Sequence, residues 1–205
     1  MKILRIYPGN INARFIDEAV ATLRDGGLIL YPTDTLYAIG CDATNVRAIE
    51  KVCRLKGINP DKQTLSIVCA DLSQAAEYAR IDNVAFRLLK KNLPGPFTFI
   101  LPATTRLPKP FKGRKTVGIR VPENGIAVAL ADALGTPMLS TSVVIDEDNP
   151  EESVSAQSLA LSYQGKVDMA VDGGSGSLKP SAIVDLTADS ASPQILREGS
   201  KELEL

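Results

Sequence analysis

Apolar residues recur along this chain at two spacings, and turn residues mark where one gives way to the other. Phe15, Ile16, Ala19, Val20 and Leu23 share one face of a helix predicted over Asn12 to Arg24, which Gly26 and Gly27 end. Leu28 to Tyr31 reads as a short apolar strand cut by Pro32. A second helix, Asn45 to Lys56, turns Val46, Ile49, Val52 and Cys53 inward, and Leu65 to Cys69 follows as a strand. Asp82 has the position of an N-cap for a helix running to about Asn92. Pro94-Gly95-Pro96 is a hard turn into a strand over Phe97 to Leu101. Thr116 to Val121 is a further strand, Ile126 to Leu134 a helix closed by Gly135-Thr136-Pro137, and Met138 to Val144 a strand. Ser155 to Tyr163 reads as a helix, with strands near Val167 to Val171, Ala182 to Leu186 and Gln194 to Arg197.

Three segments interrupt the pattern. Arg106 to Lys115, rich in Pro and Lys, reads as an exposed loop. Ile145 to Ser153 is acidic and contains Pro150, which suggests a mobile surface loop, and Gly173 to Lys179 is a glycine-serine turn. No internal repeat or composition shift divides the chain. The prediction is one α/β domain over residues 1–205, with about eight strands in a mixed sheet.

Composition narrows the chemistry. A chain of 205 residues with 44% hydrophobic and 23% charged residues can bury a core without staples, which excludes a disordered tail, a fibre and a disulfide scaffold. The 23 basic residues nearly cancel the 24 acidic ones, so a strongly basic nucleic-acid packager is excluded, though a local basic face is not. The chain has no His, which removes the Ser-His-Asp triad, His general bases and His-containing zinc sites. Cys41, Cys53 and Cys69 form no CxxC pair and read as small buried apolar residues, not as metal or redox ligands. The missing disulfide framework points to a reducing compartment. The first residues lack a signal-peptide pattern, and no stretch reaches the apolar length of a membrane span, so the expected location is cytoplasmic.

Polar residues gather at the ends of the predicted strands. In Tyr31-Pro32-Thr33-Asp34-Thr35-Leu36-Tyr37, hydroxyls and a carboxylate follow a strand, where they can hold a small polar ligand or bond to local backbone. Arg54, Lys56 and Lys62 surround the end of the second helix; they suit a polyphosphate or an RNA backbone, or simply complement the helix dipole. Arg120 lies inside an apolar strand and needs an anionic partner if buried, so a structural ion pair and a ligand clamp are both open. Further hydroxyls stand at Leu139-Ser140-Thr141-Ser142 and at Lys179-Pro180-Ser181.

Singly these segments are unspecific; their order is not. PTDTLYAIG, PGPFTFIL, GIRVP, SAIVDLT and ILREG, in that sequence, resemble the YrdC family, and above all its YciO branch, from about Gly9 to Ser200. The resemblance implies a twisted, mixed, open α/β sheet with helices packed on it. It also implies a basic concave surface that binds nucleotide and RNA. Well-studied branches of the family join threonine, bicarbonate and ATP into threonylcarbamoyl-AMP and pyrophosphate, for tRNA modification. By resemblance, Thr33, Thr35, Thr98, Arg120 and Ser181 are substrate-binding residues, with Arg120 on the threonine carboxylate. Lys56, Ser142 and Arg197 are nucleotide-binding, and Lys56 and Ser142 catalytic. The expected cofactor is Mg-ATP, with magnesium delivered by the nucleotide and no metal site on the protein.

Two departures stand where the synthases carry Lys-x-Arg and Ser-x-Asn: Lys56 and Ser142 are kept, but Ile58 and Val144 replace the Arg and the Asn. Many synthases also place a His near residues 65 to 69, where this chain has none. A lost charge-assisted contact is worth roughly 1.5–3 kcal/mol, which predicts a weak or diverged synthase. The alternative is a protein that binds double-stranded RNA, of tRNA or rRNA type, without adenylate synthesis. The candidate phosphate contacts are then Arg54, Lys56, Lys62, Lys112, Arg114 and Lys115, with no membrane partner.

Overall fold

The computed structural model describes residues 1–57, 59, 66–108, 111 and 113–205. Among them ten strands form one sheet: β1 (Lys2–Arg5), β2 (Ile29–Tyr31), β3 (Ala38–Asp42), β4 (Ser66–Val68), β5 (Phe97–Pro102), β6 (Thr116–Arg120), β7 (Met138–Ser142), β8 (Met169–Asp172), β9 (Ala182–Asp185) and β10 (Gln194–Arg197). Six helices accompany them: α1 (Ala13–Arg24), α2 (Val46–Lys56), α3 (Leu72–Tyr78), α4 (Asn83–Asn92), α5 (Gly125–Leu134) and α6 (Ala156–Ser162). The spatial order of strands is β1-β8-β2-β3-β7-β4-β6-β5-β9-β10. Pairing is mixed: β8 is parallel to β1 and β2, β4 to β6, and β5 to β9, while the other neighbours are antiparallel.

The strand count is ten, not about eight. β1 and β3 are the additional strands, and α3 is an additional helix. Elsewhere the periodicity marks the elements to within a few residues. α1 buries Ile16, Ala19, Val20 and Leu23, and its cap Asn12 accepts from the Arg14 amide. α2 starts at its cap Asn45 and ends where Gly57 turns left-handed at φ +63°. Val46, expected inward, is 50% exposed, because it occupies the first turn, and Ala48 takes the inward place instead. Asp82 caps α4 by accepting from the amides of Val84 and Ala85.

Two apolar clusters lie on the sheet. One packs α1 and α5 over β1, β2 and β8 through Leu4, Ile16, Val20, Leu23, Ile29, Ile126, Leu130 and Val171. The other joins α2, α4 and α6 to the central strands through Ile39, Ile49, Val52, Leu89, Phe99, Ile119, Leu139 and Leu159. Cys41, Cys53 and Cys69 are buried as free thiols. The Arg106–Lys115 loop is not wholly exposed, since Phe111 is buried in the core. In the Ile145–Ser153 loop Ser153 is buried and accepts from the Asp146 amide, and Pro150–Val154 forms a 3-10 turn.

The carboxyl end of the chain is fastened to α4 by two side chains, Lys91, which donates to the Leu205 carbonyl, and Asn92. Asn92 donates to the carbonyls of Leu88 and Glu204, both at 2.8 Å, and accepts from the Glu204 amide at 3.0 Å. Asn92→Ala is expected to cost about 1–3 kcal/mol, read as a lower urea midpoint with an unchanged slope.

Candidate functional site

The sheet register sets a row of small residues from β3 to β6, and Ser66 and Ser140 of that row line a cavity. Gly40 faces Ser140, Ser140 faces Ser66, and Ser66 faces Gly118, so four neighbouring strands carry small residues at one level. A side chain at Gly118 would not fit, because its Cβ would lie 2.5 Å from Ser66 Oγ. The cavity, of about 240 Å³, is walled by Val52 and Cys53 of α2 and by Leu36, and reaches across to Thr98, Ser181 and Arg197.

Two segments shape its polar end. In the first, Thr33 is buried inside the turn after β2. Its Oγ1 donates to the Leu36 carbonyl at 2.7 Å and accepts from the Thr35 amide at 3.0 Å. Thr33 therefore builds the turn, and Thr35 is the hydroxyl on the cavity wall. In the second, the Pro94–Pro96 turn is pinned between strands: the Gly95 amide donates to the Val121 carbonyl and the Ala182 amide to the Pro96 carbonyl, each at 2.9 Å. That brings Thr98 Oγ1 to 3.0 Å from Ser181 Oγ.

Two guanidiniums converge on these hydroxyls. Arg120 is buried at the end of β6; its Nη2 donates to Asp34 Oδ1 and to Thr35 Oγ1, both at 3.0 Å. Its Nε is buried and has no hydrogen-bond partner. Arg197, from the edge strand β10, donates through Nε to the Ser181 carbonyl at 3.0 Å and through Nη2 to Ser181 Oγ at 3.2 Å. Partial burial and then the Arg120 charge lower the Arg197 pKa from its ordinary value, so the two cations feel each other. Among the described residues Arg197 has no acidic partner in an ion pair. One cation of the pair is thus balanced by Asp34 and the other is not.

Lys56 stands where α2 ends and reaches across to β7, donating to the Ser142 carbonyl at 2.8 Å. Burial lowers its pKa. The Ser142 side chain borders the cavity. Val144, two residues on, is 64% exposed, and its amide donates to the Tyr163 hydroxyl at 3.2 Å. Arg54 and Lys115 are exposed and Arg114 half-buried. Burial pushes the Cys53 thiol up, and the Arg114 charge partly offsets this. Lys62, Lys112 and Ile58 lie outside the described residues.

The structure therefore brings together Thr35, Thr98, Arg120, Ser142, Ser181 and Arg197 around one cavity, with Lys56 beside Ser142. Several contributors, among them Asp34, Cys53 and Ser140, were not marked in the sequence as site residues. Asp34 carries the counter-charge for Arg120, Cys53 lines the wall, and Ser140 both lines the cavity and bonds to the buried Tyr31 hydroxyl at 2.6 Å. A carboxylate amid hydroxyls was the one available signal for Asp34. Among the described residues no group of three or more His, Cys, Asp or Glu could hold a metal ion, and no helix is long and apolar enough to cross a membrane.

Known proteins resemble this chain in sequence and in fold. The chain is 43% identical over 201 residues to the uncharacterized protein YciO of Escherichia coli, covering 95% of this chain and 93% of that one. The E. coli YciO crystal structure superimposes with a TM-score of 0.89 at 40% identity, covering 100% of this chain and 98% of that one. A threonylcarbamoyl-AMP synthase of Halorhodospira halophila is 34% identical over 173 residues, 83% of this chain and 89% of that protein. The crystal structure of P. abyssi Sua5 complexed with L-threonine matches with a TM-score of 0.82 at 29% identity, over 97% of this chain and 58% of that one. The family model Sua5_yciO_yrdC, described as "Telomere recombination", matches residues 21–199. By fold and by sequence, the chain belongs to the Sua5/YciO/YrdC family.

Proposed function

We propose that this protein binds a small α-amino carboxylate, of the threonine class, together with the phosphates of ATP. On this reading it catalyses a slow or diverged threonylcarbamoyl-AMP synthesis. One observation carries the reading: two guanidiniums meet at a hydroxyl-lined cavity, one with a buried, unpartnered Nε and the other without a counter-ion. A buried donor without a partner is costly, and an anion held there would satisfy it. The printed names of relatives, a threonylcarbamoyl-AMP synthase and a Sua5 bound to L-threonine, supply the substrate class.

Each residue then has a task. Arg120 holds the carboxylate through Nε. Thr35, Thr98 and Ser181 present hydroxyls beside it. Arg197 and Lys56 stabilise negative charge on the phosphates as pyrophosphate leaves. Magnesium enters with ATP as part of the substrate. The reaction needs orientation and charge, not a proton-shuttling imidazole, which suits a chain without His.

The test is pyrophosphate release from Mg-ATP and bicarbonate by the purified protein, with and without L-threonine, beside an established synthase. Threonine-dependent release is the expected result. Folded protein that binds ATP but releases nothing would overturn synthesis and leave binding. A gain-of-function variant measures the divergence. Ile58→Arg with Val144→Asn restores the Lys-x-Arg and Ser-x-Asn pattern, and one charge-assisted contact of roughly 1.5–3 kcal/mol converts to about a ten- to hundredfold gain in threonine-dependent turnover.

A second reading rests on four basic residues. Arg54 and Lys56 stand in the last turn of α2, Arg114 and Lys115 in the connection that enters β6, and all four suit an RNA backbone. Double-stranded RNA affinity that falls steeply with salt and drops in an Arg54→Gln, Lys115→Gln variant would support it. Affinity indifferent to both would remove it.

A further inference from the structure

The two oxygens of Asp34 go to different partners. Oδ1 accepts from Arg120 Nη2 at 3.0 Å, and Oδ2 accepts from the Glu123 amide at 3.0 Å. Glu123 lies in the connection between β6 and α5, three residues beyond Arg120. Asp34 thus fastens the Arg120 guanidinium and the backbone that follows it to the turn after β2. Its side chain and that of Arg120 are each 8% exposed, so water does little to hold either in place.

Arg–carboxylate pairs are frequently bidentate. The fork of a guanidinium and the two oxygens of a carboxylate match in a side-on geometry that uses Nε and one Nη together. Asp34 does not make that match. It spends its second oxygen on the Glu123 amide and leaves Nε buried and unbonded. Thr35 Oγ1, at 3.0 Å, accepts from the same Nη2 and adds a second fixed contact on that nitrogen. The guanidinium is fixed at Nη2, Arg120 borders the cavity, and its buried Nε donor is left without a partner.

We propose that Asp34 is a positioning residue: it holds Arg120 by Nη2 so that Nε stays presented to the carboxylate of the ligand. This rests on the reading of the cavity as a carboxylate site. Asp34 touches no ligand atom and acts through Arg120. The role has a sign that separates it from plain electrostatics. Asp34 neutralises one of the two cations at the cavity, so removing its charge alone makes the cavity more positive and every anion bind more tightly. Loss of orientation acts in the opposite direction, and only on the ligand that Arg120 grips.

Asp34→Asn separates these effects. Its amide offers one acceptor and one donor where Asp34 offers two acceptors, so either Arg120 or the Glu123 amide meets an N–H. Calorimetry with L-threonine and, separately, with Mg-ATP on wild type, Asp34→Asn and Asp34→Ala is the experiment, with thermal melts to establish folding. The expected result is a fall of about tenfold or more in L-threonine affinity in both variants. ATP affinity should be unchanged or higher. L-threonine affinity that is unchanged or higher in folded variants overturns the proposal. A second measurement needs no ligand. The Arg120 Nε–H resonance of 15N-labelled protein should be sharp and slow to exchange in wild type, and broadened or fast-exchanging in Asp34→Asn. Equal behaviour in both would overturn the proposal. If wild type binds no L-threonine, the functional reading fails, and the Asp34 assignment stands or falls on that resonance.

Discussion

Arg120→Met weakens carboxylate binding and destabilises the fold, and both effects are expected to be large. The side chain reaches the cavity from the end of a central strand, where it is the only described cation bonded to Asp34. Losing a charge-assisted contact of roughly 1.5–3 kcal/mol predicts about a ten- to hundredfold loss of L-threonine affinity. The cost to the fold comes from the partner left behind. Asp34 would remain as a buried carboxylate holding only the Glu123 amide, and breaking one side of a buried pair typically costs about 3–5 kcal/mol. The retained amide bond places the expectation at the lower end. Because the loss lies in the orphaned charge, a second substitution should repair it. Arg120→Met with Asp34→Ala is expected to regain most of the urea stability while leaving threonine affinity low. A double variant no more stable than Arg120→Met would mean that Arg120 supports the fold by packing and not by charge.

The same pair shows what a linear reading reaches. An Arg inside GIRVP announces that it needs an anion, and the sequence alone left a structural pair and a ligand clamp both open. The structure gives each a part: Nη2 is paired and Nε is not. That division could not be read from the chain, because Asp34 and Arg120 are 86 residues apart and meet only through the sheet order. Thr33 and Thr35 illustrate the limit at short range. Two hydroxyls two residues apart look equivalent in PTDT, yet the turn takes one for its own backbone and gives the other to the cavity.

Elements were legible in proportion to how much apolar surface they bury in a regular pattern. α1, α4 and α5 carry both a cap residue and an apolar stripe, and were read nearly to their ends. β1 buries only Leu4 of its four residues, and α3 buries only Ala75 of its seven, so neither has a pattern to see. β3 is wholly buried, but its sequence Ala-Ile-Gly-Cys-Asp has a single β-branched residue and follows directly on the hydroxyl cluster. Gly40, which weakens β3 as a strand signal, is small because neighbours fill the space beside it: a Cβ there would lie 2.9 Å from the Tyr31 ring. Close packing against a small residue and a clear strand pattern were competing demands on that position.

Arg197→Met is expected to separate function from stability in the opposite sense to Arg120→Met. Arg197 has no carboxylate partner among the described residues, stands on the exposed edge strand, and lies near a second cation. In the ligand-free protein its charge is therefore a liability: partial burial and the Arg120 charge both act against the charged form. Its two hydrogen bonds to Ser181 offset this, and Ser181 Oγ keeps Thr98 as a partner when they are lost. Urea stability should stay within about 1 kcal/mol of wild type. Mg-ATP affinity should not be spared. A phosphate oxygen at the cavity would be the missing counter-ion, and removing a charge-assisted contact of roughly 1.5–3 kcal/mol predicts about a ten- to hundredfold loss. L-threonine affinity, governed by Arg120, should change far less. A charge kept without a partner, at some cost to the empty fold and with a large effect on one ligand, is what a binding residue looks like physically. Equal losses for ATP and threonine would instead mean that the two guanidiniums hold one anion between them. A variant that bound ATP normally would assign the nucleotide phosphates to Lys56 and the end of α2.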